Sequence, residues 1–295
     1  EGVALPLYEG RMIDQFDFSA KGWVSGKGRT AVWVETPWHH KILGPQYLMN
    51  SVDFHERIRS QGDHAVNAAR VGFMDIVSST NLRTMFACSS NGFPFGNSAP
   101  VLMCDNRKID RSDMLILASI NSLAFDYVAR LRVGGLLSET ILLSIDELRP
   151  SGSHIATIAS RLALPHPMFA PNWRAGLVQD TGSWLIEWAI SPHERLRLRS
   201  ALDAIVAELY GLDWDDLAYI LLDCDQPMAD AASNAFTRNL DPKGFWRVDK
   251  TLDPELRHTV LSLIAFADLK AAIAAAAVQA GHFISALPCP ELGEE

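Results

Sequence analysis

A chain of 295 residues that is 48% hydrophobic and 21% charged can bury a full core, which excludes a disordered tail. No run approaches the roughly 18 apolar residues of a membrane span, and the N-terminus lacks the basic, apolar, small-residue order of a signal peptide. The net charge of −9 argues against nucleic-acid binding by the chain as a whole, but residues 1–165 carry 16 Lys and Arg against 16 Asp and Glu, so the excess acid lies in residues 166–295.

The first 110 residues hold short apolar or β-branched runs, such as Thr30 to Val34 and Arg83 to Ala87, separated by Gly, Pro, Asn and Ser. This pattern reads as strands of a mixed sheet joined by irregular loops. Ser112 is a good N-cap, and from it Leu117, Ile120, Ala124, Tyr127, Val128 and Leu131 share one face until Gly134-Gly135, which predicts one long amphipathic helix. Ile141 to Leu148 reads as a short strand or turn. Between Ser151 and Pro192 the periodicity is weak and Pro, His and Trp are dense, as in a connection packed by aromatic anchors such as Trp173, Trp184 and Trp188.

Helical spacing returns at His193. Leu196, Leu202, Ile205, Val206 and Leu209 form a stripe, Asp213 caps a helix from Trp214 to about Leu222, and Asp253-Pro254 opens another. In that last helix Leu256, Val260, Leu263, Ile264 and Ala267 form the expected face, before an end at Gly281. The fold class expected is α/β (α+β): residues 1–165 as one unit with a mixed sheet and one long helix, and residues 166–295 as a mainly α-helical region.

Cys88, Cys104, Cys224 and Cys289 are widely separated and form no Cys-x-x-Cys pair, so they read as reduced thiols in a cytoplasmic protein and not as a zinc site. Beginning at Glu1 in place of Met, the chain reads as an excised fragment.

Several segments carry residue types suited to nucleic acid. Lys21, Lys27 and Arg29 lie in a glycine-bearing stretch that could bring backbone amides and cations to phosphate, or could be a solvated hairpin turn. Trp38, His39, His40 and Lys41 combine an aromatic platform, two imidazoles and a cation. A metal is disfavoured there because adjacent histidines diverge on either a strand or a helix. Arg57 and Arg59, near His55 and His64, could extend the cationic surface. Arg70 and Arg83 could contact DNA or could pair with Asp75 or Asp17 and brace the sheet. Arg195, Arg197 and Arg199 would spread around a helix and read as a solvated or interface face.

Four stretches recur in a fixed order: Pro6 to Asp17; Arg70 to Ile76 running into Ser79 to Met85; Phe95 to Pro100; and Leu123 to Arg130, ending at Gly134-Gly135. A weaker echo follows at Ala204 to Leu221. This succession resembles the C-terminal target-recognition region of bacterial adenine-specific DNA methyltransferases of the fused restriction-modification type, including the methylases of phage-defence systems such as BREX and DISARM. Asp14, Met74 and the segment Leu136 to Glu139 depart from that family's usual residues. The resemblance implies sequence-selective binding of double-stranded DNA, a partner methyltransferase domain upstream, and possible contacts with other defence-system subunits.

The chain has no glycine-rich cofactor turn followed by an Asn/Asp-Pro-Pro-Tyr/Phe stretch, and no P-loop, nucleophile elbow or His-Glu-x-x-His. Catalytic and metal-binding residues are therefore expected to be none here, with S-adenosylmethionine bound in a domain outside this chain. The alternative reading is a diverged recognition fold that serves as a protein-interaction module.

Overall fold

The computed structural model describes residues 3–60, 69–78, 81–102, 111–133, 136–138, 153–174, 187–222, 245, 249 and 251–275. The expected strand or turn at Ile141 to Leu148, the stop at Gly134-Gly135, the anchor Trp184, His64 and the helix end at Gly281 lie outside them. The architecture is α+β, with small sheets followed by a mainly helical C-terminal region.

Strand β1 (Ala4–Leu7) pairs antiparallel with β4 (Tyr47–Asn50), and β2 (Lys21–Ser25) pairs antiparallel with β3 (Val32–Glu35). A third sheet places β5 (Ala69–Phe73) between β6 (Ala87–Asn91) and β7 (Val101–Leu102), again antiparallel. The expected mixed sheet thus resolves into three antiparallel pieces. Among the described residues, parallel pairing occurs at the isolated bridge Tyr8–Phe95. Short strands cannot each bury a face alone, so the pieces share one core with the helices.

The single helix expected from Ser112 is two helices, α2 (Arg111–Ile120) and α3 (Leu123–Arg132), bent by 62° at Asn121-Ser122. The cause is local. Ser122 adopts an extended conformation and its hydroxyl accepts from the Phe125 amide, which caps α3, while the Asn121 side chain turns away to pair with both backbone groups of Ala87. Serine and asparagine favour such side-chain contacts over helix interiors.

The segment read as an aromatic connection is helical: α4 (Ser153–Ala163), a 3-10 turn at Pro167–Phe169 and α5 (Ala170–Arg174). Trp173 does anchor it, donating Nε1–H to the Leu164 carbonyl. Helices α1 (Ser51–Ser60), α6 (Pro192–Leu209), α7 (Trp214–Leu222) and α8 (His258–Ala274) are the other α-helices among the described residues. Asp213 caps α7 through its bond to the Asp216 amide. No single described helix is long and apolar enough to cross a membrane.

Two faces differ from the periodic reading. Helix α6 buries Leu198, Ala201, Leu202, Ala204, Ile205, Val206 and Ala207, while Leu209 is exposed. Helix α8 buries Thr259, Ser262, Ala265, Phe266 and Leu269 in place of the stripe through Leu256 and Ile264. Small residues let α8 approach α6, and Thr259 is held there by Asp249, which accepts from both its amide and its hydroxyl. The buried apolar cluster runs continuously from Tyr8 to Leu269.

Candidate nucleic-acid interface

The four ordered stretches meet one another inside the molecule. Tyr8 stacks on Phe95 with ring centroids 4.7 Å apart, and the Gly96 amide donates to the Tyr8 carbonyl. Gly10 lies so close to Ser98 that a Cβ would come within 2.5 Å of its carbonyl oxygen, and a Cβ on Gly72 would come within 2.2 Å of the Phe95 ring. Asp126 is fully buried and accepts from the amides of Thr84 and Met85 while pairing with Arg83. The stretches therefore form a frame whose interior is closed to a large ligand.

Between the first and second stretches the chain leaves this frame. Residues 21–60 carry six Lys and Arg against three Asp and Glu, a local excess of positive charge within an acidic chain. The β2–β3 hairpin projects here. Its register is shifted by a bulge between Trp23 and Ser25, and the tip requires left-handed glycines: Gly26 at φ 77° and Gly28 at φ 55°. At Gly26 a Cβ would also strike the Thr30 carbonyl, whereas at Gly28 only the backbone angle demands glycine.

The tip is braced by its own carbonyls. Trp23 Nε1 and Gln46 Nε2 donate to the Gly26 carbonyl, and the amide and hydroxyl of Thr30 donate to that of Lys27. This leaves the side chains of Lys27 and Arg29 exposed, with Lys21 exposed at the base opposite Glu35. The geometry is that of a hairpin turn with two outward cations.

The Trp38-His39-His40-Lys41 group is divided by the structure, and this corrects its reading as one surface. In the 3-10 turn Trp38–His40, His39 and His40 face solvent. Trp38 turns inward, edge-on to Phe18, with Lys41 Nζ 4.3 Å and the Arg195 guanidinium carbon 3.9 Å from its ring centroid. Its faces are occupied by cations, so it offers no platform for a base.

Lys41 is buried, pairs with Asp17 at 2.7 Å and donates to the carbonyls of Ser19 and Thr36. Burial pulls the Lys41 ammonium below and the Asp17 carboxyl above their usual ranges, while their mutual contact opposes both shifts. Lys41 is thus a brace for the turn and not a phosphate contact.

Arg83 is likewise withdrawn from the candidate surface. It is 7% exposed and its Nε lies 3.2 Å from Asp126, while Nη2 donates to the Asn121 carbonyl at 2.6 Å. The bracing role expected for it holds, with Asp126 as partner in place of Asp75 or Asp17. Arg70 is described through its backbone, paired with Ser90 in β6, and Arg59 as part of helix α1; Arg57 is exposed on that helix. Lys21, Lys27, Arg29, His39, His40 and Arg57 are therefore the candidates whose side chains the structure places outward.

The arginines of α6 are not a solvated face. Arg195 is buried and donates to the carbonyls of Leu162, Ala189 and Phe16, and burial pushes its guanidinium down to about 9. Arg197 pairs with Glu194, and Arg199 donates to Gln15 Oε1. Position in a run of alternating Arg and Leu gave no signal of this. The informative residues are the unpaired carbonyls at distant helix and turn ends, which are invisible in a sequence. Cys88 is buried, with its thiol pushed well above the usual range by burial, then by Asp17, so it is not poised as a nucleophile.

Comparison of the chain with protein-family models, with curated proteins and with solved structures returned no match.

Proposed function

We propose that this chain is the target-recognition portion of a bacterial adenine-N6 DNA methyltransferase, of a restriction-modification or phage-defence system, working in the cytoplasm. The chain contributes sequence-selective binding of double-stranded DNA. An upstream domain binds S-adenosylmethionine, extrudes the adenine and transfers the methyl group.

One observation carries this reading. The ordered stretches that resemble the family make the internal frame, while the intervening residues 21–60 carry an exposed hairpin tip and 3-10 turn with a local excess of cations. A recognition domain needs this division: a common scaffold, and projecting loops that can differ between proteins reading different sequences. Lys27 and Arg29 are assigned to phosphates, which set register and affinity. His39 and His40 are assigned to base edges, where their ring nitrogens can donate or accept.

The test is selection of bound duplexes from a randomised pool by the 295-residue chain, followed by sequencing. Enrichment of a short common sequence supports the proposal; recovery of an unenriched pool, or of none, opposes it.

A second reading, a protein-interaction module within a defence complex, is favoured by a different observation. Val24, Val32 and Val34 on the hairpin are 56%, 49% and 55% exposed, which is unusual for a surface whose partner is a polyanion. Association through these valines would be insensitive to salt, unlike binding to phosphates.

A further inference from the structure

The two edges of the β2–β3 hairpin differ. On the β2 side the Trp23 amide donates to the Gly44 carbonyl at 2.8 Å, and a Cβ on Gly44 would come within 2.9 Å of the Gly22 Cα, so that edge is closed by its own chain. On the β3 side no further strand pairs among the described residues.

Register fixes what the open edge offers. In an antiparallel ladder, opposed residues alternate between pairs that exchange hydrogen bonds and pairs whose amides and carbonyls point away from each other. Trp23 directs its amide to Gly44, and the Thr36 amide donates to the Ala20 carbonyl, so Trp23–Trp33 is a pair of the second kind. The amide and carbonyl of Trp33 therefore point outward, and neither has a hydrogen-bond partner among the described residues. On either side of it Val32 and Val34 are exposed, as is Val24 on β2. Native edges are commonly blocked by a charge or a bulge. Here the bulge lies on β2 and the one charge of β3, Glu35, at the end of the strand, so the middle of β3 is left open to a further strand.

The charges around β3 select the occupant. Arg29 precedes the strand and Glu35 ends it. Antiparallel pairing of two copies brings the Glu35 of each to the Arg29 end of the other, whereas a parallel arrangement would set like charges side by side. About a two-fold axis at Trp33, its outward amide and carbonyl each meet the complementary group on the second copy, and Val32 of each copy lies opposite Val34 of the other.

We propose that β3 pairs antiparallel with β3 of a second copy of this chain, joining two hairpins into a four-stranded sheet centred on Trp33. The inference rests on the interaction reading of the hairpin valines and names what covers them. The two tips point to opposite ends of that sheet, so Lys27 and Arg29 stay exposed and DNA binding is not required.

The experiment is sedimentation velocity of the 295-residue chain between about 10 μM and about 1 mM, the range suited to a small interface. A concentration-dependent shift from monomer to dimer is expected. Val32→Lys with Val34→Lys sets lysine opposite lysine and should weaken the dimer by about tenfold or more. Val32→Glu with Val34→Lys sets glutamate opposite lysine in this register and should restore it. Both positions are exposed, so these variants should melt as the parent does.

Should either double variant not fold, hydrogen exchange in the parent decides: protection of the Trp33 amide should rise with protein concentration. A parent that stays monomeric, a dimer unchanged by the lysine pair, a glutamate–lysine variant no tighter than that pair, or Trp33 protection independent of concentration would overturn the proposal. A monomeric parent would still leave the wider interaction reading standing, because that reading requires only that some other protein cover the valines.

Discussion

The ring of Tyr8 lies over that of Phe95 at 4.7 Å with the planes 13° apart, and Phe95 in turn fills the space that a side chain on Gly72 would need. Three of the ordered stretches thereby converge on one ring. Gly72→Ala is expected to destabilise the protein by about 1–3 kcal/mol through overpacking, and Phe95→Leu in the same chain should recover part of that loss. Urea unfolding of the two single variants and the double variant measures the coupling; strict additivity would show that the contact is not shared.

The buried pair Arg83–Asp126 joins the second stretch to α3. Asp126→Ala removes the acceptor for the Thr84 and Met85 amides as well as the counter-charge, so a loss of about 3–5 kcal/mol is expected. Denaturant midpoints check it. A loss under about 1 kcal/mol, the range of exposed ion pairs, would contradict the burial.

Stability should also fall in mild acid. Burial holds His258 below its ordinary value, with the fields of Arg199 and Arg83 acting in the same direction and Asp203 opposing them. The unfolded chain therefore takes up this proton first. The contribution is intact above the unfolded value of about 6.5 and is lost as pH drops below it. Glu194 adds to this at lower pH: despite burial, Arg197 and Arg161 hold its carboxyl below the ordinary range, so its stabilisation is present above the unfolded value and lost as pH falls through the folded one. Unfolding midpoints between pH 8 and pH 5 should decline, and His258→Gln should flatten the decline; an unchanged profile in that variant would contradict the assignment.

The two kinds of cation in residues 21–60 separate experimentally. Lys27→Gln and Arg29→Gln, on an exposed and locally braced tip, should leave the melting temperature unaltered while weakening binding to all duplexes alike. Lys41→Met should instead lower the melting temperature, because Asp17 loses its partner inside the protein. His39→Ala or His40→Ala should change which duplex is preferred. If all these variants behaved alike in binding, the division between phosphate and base contacts would fail.

Much of the helical region can be read from the chain because its signals are local. Ser191 and Asp213 cap their helices by bonds three residues ahead, and such short-range chemistry is written in the sequence. The break at Asn121-Ser122 has a local signal too, but it competes with an apolar stripe that continues in phase across it. Faces are harder. The burial of Ser262 and Thr259 in preference to Leu256 and Ile264 depends on Asp203 and Asp249, which belong to other parts of the chain. The candidate site shows the same limit: exposure of Lys27 and Arg29 follows from their glycines, while the inward turn of Trp38 depends on Phe18 and on Arg195, far away in sequence.

The proposed grip of the exposed cations of residues 21–60 on duplex DNA is measured through the affinity of the 295-residue chain for a selected duplex as salt is raised. Each phosphate contact made by Lys27 or Arg29 should contribute about 0.9 to the slope of log affinity against log salt, so the double Gln variant should be shallower by roughly 2. Binding that is absent, or that is as steep in the variant as in the parent, would contradict the account.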